Sequence, residues 1–124
     1  MPLTLYMTPG SCSTGIHILL EEIGVPFAAH VINALQTIVA RNIHPLEAGV
    51  VSVTQVHGGD TWNVIPQECV LRGTVRTFKK PVQDLIEKQI EKIARNVAAG
   101  FGAEVIKWRY ERRYPATVNS EQET

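Results

Sequence analysis

The sequence has 124 residues, with twelve Lys+Arg balanced by twelve Asp+Glu, so it lacks the one-signed field that nucleic acid or an anionic membrane would select. A hydrophobic content of 44% suits one globular domain, and no apolar run approaches the ~20 residues of a membrane-spanning helix. The two cysteines, Cys12 and Cys69, match no metal or redox spacing, and the chain does not open on a basic segment followed by an apolar one, so a reduced, cytoplasmic protein is expected.

In chain order, LTLYM at residues 3–7 predicts a short strand, ended by Thr8-Pro9-Gly10. Ser11 or Ser13 then caps a predicted helix whose apolar positions Ile16, Leu19, Leu20 and Ile23 fall at helical spacing, with Gly24-Val25-Pro26 as its stop. Read from the residues alone, Cys12 beside that cap is a small buried thiol. A second helix is predicted over Phe27–Asn42, where Val31, Ile32, Leu35, Ile38 and Val39 repeat at three and four.

His44-Pro45-Leu46-Glu47 leads into the stretch that organises the chain, a hairpin from Ala48 to Phe78. Its first strand, Val50–His57, is rich in β-branched residues, and Gly58-Gly59-Asp60 supplies a turn that tolerates positive φ. Its second strand, Val64–Phe78, alternates. Cys69, Leu71, Gly73 and Val75 fall on one face and Arg72, Thr74 and Arg76 on the other, with Pro66 near the start, where a missing N–H costs little. From Pro81 the stripe Val82, Leu85, Ile86, Ile90, Ile93, Ala94 and Val97 predicts an amphipathic helix, with a favourable Glu91–Arg95 pair and Gly100 and Gly102 as its end. A last strand, Ala103–Arg112, puts Ile106, Trp108 and Tyr110 on one face, and the tail NSEQET is polar.

This order predicts an α+β fold: a ferredoxin-like βαββαβ plait, an antiparallel sheet with helices on one face, and one extra N-terminal helix. The face away from the helices would carry Arg72, Thr74 and Arg76, and an open face or unpaired edge invites a partner.

Two resemblances add to this reading. Residues 1–33, MPLTLYMTPGSCSTGIHILLEEIGVPFAAHVIN, resemble the first strand and helix of a bacterial glutathione S-transferase. That implies a thiol or anion site at Ser11, Cys12 and Ser13, where a helix N-terminus would favour a thiolate. Residues 34–124 resemble the lid, or dimerisation, domain of bacterial dizinc amidohydrolases and exopeptidases, such as hippurate hydrolases, N-acyl-amino-acid deacylases and carboxypeptidase G-type enzymes. The match lies in ALQTIVARNIHPLEAGVVSVTQVHGGDTWNVIPQECVLRGTVRTF and the closing YPATVN.

The second resemblance implies that Asn63 and Arg76, thirteen residues apart, hold a substrate carboxylate or carbonyl. A guanidinium offers a carboxylate a bidentate fork, and an amide can donate to an oxyanion. His57, in a VHGG segment that also occurs in the family, joins them as a candidate, although on its own it reads as a loop histidine. The family's lid opens on a GxxxHAAxPH-like segment, which this sequence replaces with the transferase-like opening, so the role of that segment's histidine does not pass to His30.

Family enzymes use two zinc ions, and their ligands do not occur here: His57 and Asp60 form the only close His/Asp pair. The expectation is therefore a homodimeric, lid-like module with no cofactor that hydrolyses no amide alone. One alternative is a fragment or subunit of an N-acyl-amino-acid amidohydrolase working with a separate catalytic chain. Another is residual thiol binding at Cys12.

Overall fold

The computed structural model describes residues 3–6, 9–10, 13–21, 24–60, 66, 68–112 and 114. The elements are β1 (Leu3–Tyr6), β2 (Pro9–Gly10), β3 (Ser13–Glu21), α1 (Gly24–Leu35), a π-helix (Ile38–Asn42), β4 (Gly49–Gly58), β5 (Glu68–Thr77), α2 (Lys80–Gly100) and β6 (Val105–Arg109). From β3 onward this is βαββαβ. The sheet order β6-β3-β5-β4, antiparallel throughout, is that of the expected plait. β1 is added beyond β6, to which it runs parallel, and also meets β3 antiparallel, while β2 lies beside β3.

The predicted extra N-terminal helix is absent: residues 13–21 form β3, the first strand of the plait. Thr14, Ile16 and Ile18 alternate, so this stretch satisfies a strand period as well as a helical one. Pairing decides between them, because β3 lies antiparallel to β5 from Thr14 opposite Val75 to Glu21 opposite Glu68. Gly24-Val25-Pro26, expected to stop a helix, instead begins α1. Proline suits a first turn, whose N–H groups have no partner within the helix.

α1 ends at Leu35 rather than running unbroken to Asn42. The Thr37 hydroxyl donates back to the Ala34 carbonyl at 2.7 Å, and the chain continues as the π-helix. α2 follows the prediction closely. Pro81 lies in its first turn, and Arg95 Nε donates to Glu91 Oε1 at 2.9 Å. Its C-terminus closes with Ala103 N–H on the Ala98 carbonyl at 2.8 Å and Gly102 N–H on the Ala99 carbonyl at 3.1 Å. Gly102, at φ 73°, takes the left-handed position this cap requires.

The core lies between the two helices and one face of the sheet. Val31, Leu35 and Ile38 meet Val82, Ile86, Ile90 and Ala94 over Val51, Cys69, Leu71 and Val75. The alternation expected for β5 holds: Cys69, Leu71, Gly73 and Val75 are buried, while Arg72 and Arg76 are exposed.

The β4–β5 ladder contains one irregularity. Gly49 to Val53 pair with Thr77 to Gly73, but Gln55 then faces Arg72, so β4 carries one extra residue at Thr54. This is a β-bulge, and the Thr54 hydroxyl donates to the Arg72 carbonyl at 3.4 Å beside it. At the neighbouring position the two backbones come so close that a Cβ on Gly73 would lie 2.2 Å from the Ser52 carbonyl oxygen and 3.1 Å from Val53 Cα. These are backbone atoms of β4, so nothing flexible is there to yield. Gly73→Ala is expected to lower stability by about 1–3 kcal/mol, or to prevent folding, as overpacking of a close-packed interior does. A urea unfolding midpoint measured against the parent chain checks this.

Candidate functional site

The helix-free face of the sheet is built by the even-numbered residues of β5 and their partners on β4. Val50 stands opposite Arg76, Ser52 opposite Thr74, Gln55 opposite Arg72 and His57 opposite Val70. Directly opposed residues share a face, so the bulge is what returns Gln55 and His57 to this side. Arg72, Arg76, His57 and Gln55 are all exposed.

The structure places the predicted site residues as follows. Arg76 lies at the Val50 end of the ladder and His57 at the other end, opposite Val70. Six residues of strand separate Val70 from Arg76, about 20 Å. One chain therefore does not bring His57 and Arg76 together around one small substrate. Asn63 lies outside the described residues, as do Ser11 and Cys12. Ser13 opens β3 opposite Gly10. It is a strand residue, so the helix N-terminus that was to activate a thiolate here is not formed.

Arg72 is the polar residue of this face that the candidate set left out. Its Nη1 donates to Gln55 Oε1 at 3.4 Å, and a groove of about 600 Å³ opens beside it, lined also by Thr54, Val56, His57 and Val70. The signal in the sequence was its alternation with Thr74 and Arg76. The bulge that gives it Gln55 as a neighbour has no sequence signature.

Cys69 is a free, buried thiol, and burial pushes its pKa up, which keeps it protonated and poorly nucleophilic. Among the described residues no three His, Cys, Asp or Glu side chains come together to hold a metal ion. His57 and Asp60 alone do not fit a dinuclear centre.

The densest charge cluster lies elsewhere, where the segment after β6 meets α2. Arg112 Nε donates to Glu87 Oε2 at 2.8 Å and Nη1 to Asp84 Oδ1 at 2.5 Å, and Lys80 Nζ reaches Asp84 at 3.1 Å. The hydrogen bond from Arg112, then that from Lys80, holds the Asp84 carboxyl below its ordinary value. The cluster ties the segment after β6 to a helix that covers the core.

Comparison with known proteins identifies this architecture. The family model of the peptidase dimerisation domain matches residues 25–101. The chain belongs to this family. The peptidase dimerisation domain here is 43% identical over 82 residues to the N-acetylcysteine deacetylase of Bacillus subtilis, covering 65% of this chain and 22% of that protein. It is 44% identical over 78 residues to an N-acetyldiaminopimelate deacetylase of Streptococcus thermophilus, covering 63% and 21%.

Among solved structures, YxeP of Bacillus subtilis, a dinuclear metal-binding peptidase of the M20 family, superposes with a TM-score of 0.70 at 27% identity, over 97% of this chain and 29% of its own. The dimerisation domain thus spans about a fifth of the curated relatives it matches. The YxeP superposition takes in nearly the whole chain, opening strands included. The glutathione S-transferase resemblance of residues 1–33 is accordingly corrected: where it requires a helix stands β3, paired into the sheet of the dimerisation domain.

The Asp84 cluster generates a pH dependence. The folded-state pKa lies below the unfolded one, so the stabilisation is fully present above the ordinary aspartate value of 3.8 and is lost as pH falls through the depressed value. In Asp84→Asn this loss should be missing. The thermal midpoint of the parent chain is expected to drop more steeply than that of the variant between neutral pH and about pH 3, as thermal melts at stepped pH would record.

Proposed function

We propose that this chain is a self-pairing module of a metal-dependent N-acyl amidohydrolase, and that a second copy docks along the β4 edge. The observation that carries the reading is the state of β4. It is a ten-residue strand with, among the described residues, a neighbour on one side only, in a chain whose family is the peptidase dimerisation domain. An unpaired edge of that length offers a row of backbone N–H and C=O groups to another strand. Apolar side chains flank it on both faces, with Val50 49% and Val56 52% exposed. Leu46 and Phe78, 89% and 65% exposed, extend the apolar surface past the Val50 end. The simplest closed arrangement is a two-fold pair, which removes both edges in one contact.

The deacetylase relatives support the second half of the reading. In it, Asn63 and Arg76 serve a substrate carboxylate, Arg76 through its two-pronged guanidinium. In a two-fold pair Arg76 would approach an active site held by a catalytic unit, whether within a longer form of this protein or on a separate chain. Supplying such a unit and assaying N-acetyl amino acid hydrolysis tests that half; no gain in rate over the unit alone would end it.

The pairing has its own test. Equilibrium sedimentation at micromolar concentration should return a dimer. Val50→Lys combined with Val56→Lys, which sets like charges facing each other across the new strand pair, should weaken it by roughly tenfold or more. A strict monomer of the parent chain would overturn the proposal.

A further inference from the structure

We infer that the groove at the Thr54 bulge binds a small carboxylate carrying an apolar substituent, held by Arg72. This site is distinct from the one proposed at Arg76: it is centred on Arg72 of β5, with β4 supplying its other wall.

The argument begins with charge. Described cations elsewhere are neutralised by carboxylates: Lys79 by Glu47, Lys80 by Asp84, Arg112 by Asp84 and Glu87, Arg95 by Glu91 and Arg109 by Glu111. Arg72 is held instead by a neutral amide, the Gln55 side chain, through one hydrogen bond at 3.4 Å. A guanidinium has five N–H donors in a planar fork, and that bond occupies one of them. The contact orients the group without neutralising it, which is the condition for receiving an anion from outside.

The surroundings fit the same ligand. His57 is the diagonal neighbour of Arg72 across the β4–β5 ladder, about 7–8 Å away on the same face, so its imidazole can add a ring N–H from the other side of the groove. Thr54 contributes a hydroxyl at the rim, although that hydroxyl already donates to the Arg72 carbonyl. Val70 supplies apolar surface on this face, while Val56, which also lines the groove, stands opposite Leu71 and so belongs to the other face. Among the described residues no carboxylate lines the groove. The nearest along β5 on this face is Glu68, four residues from Arg72 and so about 13 Å along the strand.

One cation, a second donor and the Val70 side chain, in a volume of about 600 Å³, select a carboxylate with a short aliphatic group over a multiply charged ligand or a purely apolar one. The bulge is what assembles the site. Without the extra residue, Gln55 and His57 would fall on the opposite face from Arg72, as a one-residue shift of register dictates.

The test is a titration of the isotope-labelled full chain with N-acetyl-L-valine, followed by amide chemical shifts. The expected result is saturable shifts centred on residues 54–57 and 70–72. Arg72→Gln, a change at an exposed position, should weaken binding at least about tenfold while keeping the parent's amide pattern. Lys92→Gln, which removes the same charge from the exposed face of α2, should leave binding unchanged. Acetate should bind more weakly than N-acetyl-L-valine, for want of the aliphatic group. The inference is overturned if the shifts do not saturate, if Arg72→Gln binds as the parent does, or if the shifts centre on 74–77, which would assign the ligand to Arg76.

Discussion

The offset in register at Thr54 fixes which side of the sheet each residue of β4 faces, and through β4 it fixes what the open face presents. Before the bulge, Val51 points into the core beneath the helices. After it, the parity of the strand is reversed, and His57 and Gln55 join Arg72 on the exposed side. The same offset requires the Ser52 carbonyl to press against position 73, so the chain needs a residue without a side chain there. Gly73 is therefore less a weak point in a strand than the complement of a bulge on its neighbour.

Much of this fold can be read in the sequence because it rests on strong, one-valued patterns. From Leu71 onward the buried residues of β5 alternate with polar ones, and α2 carries an uninterrupted stripe from Val82 to Ala98 between a proline and a glycine. No second period competes in either segment. The opening of the chain is different. Ile16, Leu19 and Leu20 satisfy a helix, while Thr14, Ile16 and Ile18 satisfy a strand. What separates the two is the presence of β5 alongside, a partner more than fifty residues away that local spacing cannot register. The helix assigned there brought with it a capped N-terminus, and the strand that forms instead removes both.

The candidate site was legible only in part, for a related reason. Alternation showed that Arg72, Thr74 and Arg76 share a face, and that holds. It could not show that Arg76 and His57 sit at opposite ends of one ladder, because the distance between them is set by how the hairpin is aligned. Nor could it show that a bulge would give Arg72 a neutral neighbour. A bulge costs one residue of length and leaves no composition behind.

The kink has one more effect. A straight, uninterrupted border ten residues long would let any further chain zip onto it end to end, which is how runaway fibres grow. Interrupted at Thr54, this border is bent, and a newcomer cannot run along it as one regular, unlimited ladder. The irregularity that sets what the open face presents thereby also makes stacking without limit harder.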